Sequence, residues 1–72
     1  MLKVDATDLK CPMPLLKAKL ALADMQVGEQ VEIIASDPGS ARDIPKFVER
    51  AKHRLVSMDE KNNRHYFVIE RR

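Results

Sequence analysis

The stretch "DLKCPMPLLKA", residues 8–18, separates the first predicted strand from the first predicted helix, and the fold is decided there. Before it, "LKVDA" (residues 2–6) alternates apolar and charged side chains, which predicts a strand with one buried face. The two prolines fall among the first helical residues, whose N–H groups have no intrahelical acceptor, so we predict a helix from about Pro12 to Met25. This prediction places Cys11, the only cysteine of the chain, at the helix N-cap.

The remaining segments also show strand and helix patterns. Strands are predicted over residues 30–36, 54–58 and 65–69, and the polar loop "DEKNN" (residues 59–63) joins the last two as a hairpin. The order β-α-β-α-β-β predicts an α/β two-layer sandwich, in which both helices pack on one face of a mixed four-stranded sheet. With 72 residues, the chain is expected to form one domain over residues 1–72.

The start of the second helix is ambiguous in the sequence. Ser40 followed by Asp43 resembles a capping box, but this register places Pro45 where it breaks a helical hydrogen bond. With Asp43 as the N-cap, Pro45 falls in the first turn at no such cost. We therefore predict an irregular turn over residues 40–43 and a helix over about 44–52.

Apolar residues that recur at helical or strand spacing define the expected core. The line of Leu16 and Leu20 flanks this face of the first helix and is expected to be partly covered. The predicted core residues are Leu15, Ala18, Leu22, Met25, Val31, Ile33, Ala35, Ile44, Val48 and Ala51, with Phe47 beside them.

The net charge of +2 is too small for strong non-specific binding of nucleic acid. Residues 37–72 nevertheless carry nine basic and six acidic side chains, and Arg42, Lys46 and Arg50 recur every four residues. This spacing predicts either a basic face for RNA or an acidic protein, or an ordinary solvated helix face, which we favour. No apolar run is long enough to span a bilayer and no signal peptide is evident, so we expect no membrane partner.

Two interpretations of Cys11 stay open at the level of local physics. It could pack as a small apolar residue, as free cysteines commonly do. Alternatively, the positive end of the helix dipole, with Lys10 beside it, would favour the nucleophilic thiolate. A single cysteine without a disulfide partner fits a reducing compartment, and we expect the cytoplasm. The dispersed Cys and His residues show no metal-ligand spacing, so neither a metal nor a cofactor is predicted.

Two segments together resemble the TusA/SirA-like sulfur carrier family. "VDATDLKCPMPLLKAK" (residues 4–19) contains the Cys-Pro-x-Pro signature, and "IIASDPGSARDIPKF" (residues 33–47) resembles the second recognisable segment of the family. The resemblance implies a two-layer α/β sandwich and a sulfurtransferase in which Cys11 carries a persulfide. A cysteine desulfurase or another persulfide donor would load the sulfur, and a downstream acceptor protein would receive it.

The resemblance also assigns roles to other positions. Asp8 and Met13 depart from the usual family pattern, and Asp tolerates a positive φ better than most residues if position 8 requires one. Transfer RNA thiolation, molybdenum-cofactor sulfuration and sulfur oxidation are all compatible pathways. The residues that match the motifs as structural support are Pro12, Pro14, Asp37, Pro38 and Asp43. The surroundings of Cys11 and the basic face of the second helix, rather than the resemblance, supply the candidate partner-binding residues: Lys10, Met13, Leu16, Lys17, Arg42, Lys46 and Arg50.

Overall fold

The computed structural model describes all residues from Met1 to Arg72 and confirms the predicted order β-α-β-α-β-β. The first three elements end within two residues of their predicted bounds. The elements are β1 (Leu2–Ala6), α1 (Met13–Ala23), β2 (Gln30–Ala35), α2 (Pro38–Arg50), β3 (Arg54–Lys61) and β4 (Arg64–Glu70).

The four strands form one mixed sheet in the order β1-β2-β4-β3. Strands β1 and β2 are parallel and in register from Leu2 opposite Val31 to Ala6 opposite Ala35. Strand β4 runs antiparallel to both β2 and β3. Because β1 and β2 are parallel and end level with each other, the chain enters both helices from the same edge of the sheet.

The core lies between one face of the sheet and the two helices, as a two-layer sandwich requires. Of the predicted core residues, Leu15 is only half-buried, and Ala51 is exposed because it lies at the C-cap of α2, beyond the packed part of the helix. The buried core cluster consists of Ala18, Leu22, Met25, Val31, Ile33, Ile44, Val48, Phe67 and Ile69.

The predicted start of α2 at residue 44 is wrong, because the helix begins at Pro38. The Asp37 side chain caps it by accepting a hydrogen bond from the Ser40 N–H at 3.0 Å. Pro38 occupies the first helical position, where its missing N–H costs nothing. The early start buries Ser40 one turn before Ile44, and it places Pro45 inside the helix, where it has no N–H to donate.

The last hairpin is tighter than the five-residue loop that we predicted. Strands β3 and β4 continue to Lys61 and Arg64, so that only Asn62 and Asn63 form the turn. Both asparagines have positive φ, at 53° and 63°, as a two-residue hairpin turn that follows the twist of the strands requires. Asn tolerates this conformation better than most residues, which is why the turn forms without glycine. Neither helix of the structure is long and apolar enough to cross a membrane.

Candidate functional site

Cys11 lies in the connection between β1 and α1, at the edge of the sheet where β1 and β2 end. The Cys11–Pro12 peptide bond is cis, and Pro12 rather than Cys11 is the N-cap of α1. No side chain caps this helix. The prediction of Cys11 at the N-cap is therefore wrong by one residue. Cys11 lies in the turn between Lys10 and Pro12, which precedes the first residue of the helix. The Cys11 side chain is exposed and is the only thiol in the chain.

The thiol contacts the other helix. Cys11 Sγ donates a hydrogen bond to Asp43 Oδ2 at 3.3 Å, although the two residues are 32 positions apart. Asp43 lies in α2, immediately before the fully buried Ile44, and its own side chain is half-buried. Asp43 therefore holds a fixed position beside the sulfur because the core holds α2.

Gly39, in the first turn of α2, lies beside both Cys11 and the cap of the helix. A Cβ atom at position 39 would be in ordinary van der Waals contact with Cys11, at 3.5 Å from its Cβ and 3.9 Å from its Sγ. It would lie only 3.0 Å from Asp37 Oδ2, the atom that caps the helix. A side chain at this position would therefore press on the cap.

The surroundings of the sulfur favour the neutral thiol. The hydrogen bond to Asp43 contributes most to raising the pKa of Cys11 above its ordinary value. Partial loss of water around the sulfur and the negative charges of Asp43 and Asp37 raise the pKa further. We expected the dipole of α1 and Lys10 to favour the thiolate, and this expectation is wrong for the resting protein. The charged groups that raise the pKa are two carboxylates, Asp43 within α2 and Asp37 at its N-cap.

The loop that leads to Cys11 is shaped by the residues before it. Asp8 has a φ of 66°, which confirms that this position requires a positive φ and that Asp adopts it. The Asp8 N–H donates to Ser36 Oγ at 2.8 Å, and the Leu9 N–H donates to the Ala6 carbonyl at 3.2 Å. The first bond ties the loop after β1 to Ser36, which follows β2, and the second closes the loop onto the end of β1.

The two motif prolines lie in different environments. Pro12 is exposed, whereas Pro14 is fully buried in the first turn of α1. Pro14 thus anchors the start of a helix that has no side-chain cap. Among the matched residues of the second segment, Asp37 is the N-cap of α2 and Pro38 follows it in an exposed position.

Helix α1 presents apolar side chains to solvent next to Cys11. Met13 is 44% exposed, Leu16 is 42% exposed and Leu20 is 71% exposed. Their spacing of three and four residues places them along one side of the helix. Lys17, beside this row, is half-buried, and Lys10 is exposed. The expectation that Leu16 and Leu20 are only partly covered is confirmed.

Helix α2 presents cations on its solvent side. Arg42, Lys46 and Arg50 are all exposed, as predicted, and none of them forms an ion pair within the chain. A groove of about 220 Å³ runs between the two helices. Its lining residues are Leu15, Lys19, Asp43, Lys46, Phe47 and Arg50.

Sequence reasoning missed Gly39 and the direct contact between Cys11 and Asp43. Gly39 was interpreted only as part of a turn, and the "DPG" pattern carries no sign of the cysteine that packs against it. The contact joins the connection before α1 to helix α2, and the parallel pairing of β1 and β2 brings the two together. It becomes visible only once the two strand ends are known to lie level. No group of three or more His, Cys, Asp or Glu side chains is arranged to hold a metal ion.

Comparison with known proteins gives the same answer from sequence and from structure. The family model described as sulfurtransferase TusA matches residues 2–71. The chain is 35% identical over 69 residues to the sulfur carrier protein TusA of Allochromatium vinosum, covering 96% of this chain and 91% of the relative. It is 38% identical over 71 residues to a putative sulfur carrier protein of Archaeoglobus fulgidus, covering 99% and 97%.

A solved structure is similar over nearly the whole chain. The crystal structure of a SirA-like protein from Desulfitobacterium hafniense superimposes with a TM-score of 0.88 at 28% identity. The match covers 97% of this chain and 96% of that protein. The family model spans almost the entire sequence, including both segments around Cys11 and Asp43. The chain therefore belongs to the sulfurtransferase TusA family.

Proposed function

We propose that this protein is a sulfur carrier that holds one sulfur atom as a persulfide on Cys11. A cysteine desulfurase or another persulfide donor loads the sulfur, and a downstream acceptor protein removes it. The observation that carries the proposal is an exposed, unpaired thiol, held at the sheet edge from which both helices begin. Ligand and catalytic sites of open α/β sheets recur outside the carboxyl ends of parallel strands. Membership of the sulfurtransferase TusA family and relatives named as sulfur carriers support the same role.

Loading moves a single sulfur atom. The Cys11 sulfur attacks the terminal sulfur of the donor persulfide, forming a new S–S bond at Cys11 while the S–S bond of the donor breaks. The donor cysteine leaves as a thiol and takes up the proton that Cys11 loses. Because one S–S bond forms as another breaks, the step needs no external oxidant or reductant.

Delivery requires a thiol from another protein. Cys11 is the only cysteine, so no second thiol in the chain can resolve the persulfide. The acceptor must bring its own thiolate to the outer sulfur, which an exposed position of Cys11 permits. The exposed row of Met13, Leu16 and Leu20 beside the thiol is the surface that we assign to this encounter. Lys10 and Lys17 adjoin the same surface.

The identity of the acceptor sets the pathway. Transfer RNA thiolation, molybdenum-cofactor sulfuration and sulfur oxidation are each compatible with an exposed carrier cysteine. A persulfide carrier needs a reducing compartment that keeps its thiol free, and the cytoplasm is part of the proposal.

The proposal is tested by incubating the protein with a cysteine desulfurase and cysteine and then measuring its intact mass. The wild type should gain the mass of one sulfur atom, and dithiothreitol should remove it. Cys11→Ser should gain none, while its thermal unfolding stays close to that of the wild type because residue 11 caps no helix. Equal gains in both proteins would rule out Cys11 as the carrier.

A second function, binding of RNA or of an acidic protein segment, is favoured by the cations around the groove between the helices. Lys19, Lys46 and Arg50 line it without intrachain ion pairs. An Arg42/Lys46/Arg50 triple alanine variant should lose any salt-dependent binding, whereas Cys11→Ser should keep it. Absence of RNA binding at low salt would leave an acidic protein segment as the ligand of these cations.

A further inference from the structure

We propose that Asp43 is a latch for the unloaded thiol, and that loading with sulfur releases the side chain of Cys11 from helix α2. The inference rests on the proposed function, because it concerns the difference between the thiol and the persulfide of Cys11. The Sγ–H group is docked on Asp43 Oδ2 in the unloaded protein. Loading replaces that hydrogen with a sulfur atom, so the contact that holds the side chain against α2 is lost.

The latch depends on a hydrogen bond that only the thiol can donate. Cys11 Sγ lies 3.3 Å from Asp43 Oδ2, within the reach of an S–H donor. In the persulfide, Sγ is bonded to carbon and to the outer sulfur and has no hydrogen to donate. The carboxylate of Asp43 then faces a sulfur atom with which it forms no hydrogen bond.

Negative charge on the persulfide also repels it from the carboxylates of α2. A persulfide is a stronger acid than the thiol from which it forms, so its outer sulfur carries negative charge at neutral pH. The charged groups of α2 that act on position 11 are the carboxylates of Asp43 and Asp37, and no cation of the chain pairs with either. Like charges at short range repel, which drives the loaded side chain away from α2.

The direction of release is set by charge and exposure. The carboxylates of Asp43 and Asp37 act on Cys11 from the α2 side. Apart from its contacts with α2, the Cys11 side chain is exposed to solvent. The persulfide therefore turns away from α2 and into solvent, where a partner can reach it, while the thiol is held back.

The test compares alkylation rates of the unloaded and loaded forms. Wild type, Asp43→Asn and Asp37→Asn are treated with iodoacetamide at pH 7, and intact mass follows each form. Loaded protein is prepared with a cysteine desulfurase or, independently, with inorganic polysulfide. Asp37→Asn is the matched control, because Asn caps helices as well as Asp and the contact between Sγ and Asp43 is kept.

For Asp43→Asn, the unloaded thiol should alkylate about threefold to tenfold faster than wild type, the size of effect expected when a neutral acceptor replaces a charged one in a hydrogen bond. The loaded form should change by less than about twofold, since its latch is already open. Asp37→Asn should change the unloaded rate less than Asp43→Asn does. An unchanged unloaded rate in Asp43→Asn would overturn the latch, and so would equal acceleration of both forms.

A second readout needs no variant. Loading of wild type should shift the ¹³Cγ resonance of Asp43, because its hydrogen-bond donor is removed, and a resonance that stays in place would contradict the latch. Failure of the desulfurase to load wild type would count against the proposed function alone. The latch is then still decided by the unloaded thiol and by protein loaded with polysulfide.

Discussion

Helices α1 and α2 begin side by side at one edge of the sheet, but their first turns are built differently. Helix α2 has a carboxylate cap, with Asp37 accepting a hydrogen bond from Ser40. Helix α1 has none, and the residue before its N-cap is the exposed Cys11. The capped start is fixed and provides carboxylates, whereas the uncapped start presents the reactive group. The thiol therefore takes its electrostatic environment from the helix to which it does not belong.

The largest expected effect tests whether packing of the buried face of α1, rather than its first turn, stabilises the helix. Leu22 is 2% exposed and faces the core, so Leu22→Ala should lower the free energy of unfolding by about 2–5 kcal/mol. Leu20, on the same helix but 71% exposed, is the matched control, and Leu20→Ala should change stability by less than about 0.5 kcal/mol. Urea denaturation followed by circular dichroism measures both. Similar losses in the two variants would contradict the one-sided packing of α1.

A smaller effect tests the cap of α2. Asp37→Ala removes the acceptor for the Ser40 N–H and should cost about 0.5–2 kcal/mol of stability, while Asp37→Asn should stay near wild type. Cys11→Ser, at the start of α1, should also stay near wild type because no cap is lost there. Thermal unfolding of the three variants gives the ranking. A loss in Cys11→Ser as large as that in Asp37→Ala would show that the two starts are equivalent.

The smallest effect is a pH dependence that arises from Cys11. The native structure raises the pKa of this thiol above its ordinary value of 9.0, so the folded protein holds the proton more tightly than the unfolded chain. The stabilisation is then complete below pH 9 and is lost as pH rises through the native pKa. The unfolding midpoint of wild type should fall more steeply above pH 9 than that of Cys11→Ser. Parallel curves would show that Asp43 does not act on the thiol.

Much of the fold follows from sequence patterns that are local. The alternation in residues 2–6 and 30–36, and the prolines at positions 12 and 14, predict β1, β2 and α1 within two residues. The start of α2 is predicted wrongly when Pro45 is assumed to require a late start. The structure instead has Asp37 as the N-cap and Pro38 at the first helical position, both local signals, and it accommodates Pro45 inside the helix.

The candidate site also contains features that the local sequence predicts and features that depend on the pairing of distant strands. Cys11 could be singled out from the sequence because it is the only thiol and stands before two prolines. Its relation to Gly39 and Asp43 could not, because the pairing of β1 with β2 creates it. The sign of the electrostatic effect was therefore predicted wrongly. The helix-dipole rule, applied to α1 alone, predicts a lowered pKa for Cys11. Asp43 of the neighbouring helix α2 raises that pKa instead.

The central claim is that the transferred sulfur is bound to the Cys11 thiol as a persulfide. Labelled sulfur tests this claim most directly. The protein is incubated with a cysteine desulfurase and ³⁵S-cysteine, separated from the reagents, and counted before and after treatment with dithiothreitol. Wild type should carry label close to one sulfur per chain, all of it released by the reductant, and Cys11→Ser should carry none. Label that persists in Cys11→Ser, or that the reductant does not release from wild type, would contradict a persulfide on Cys11.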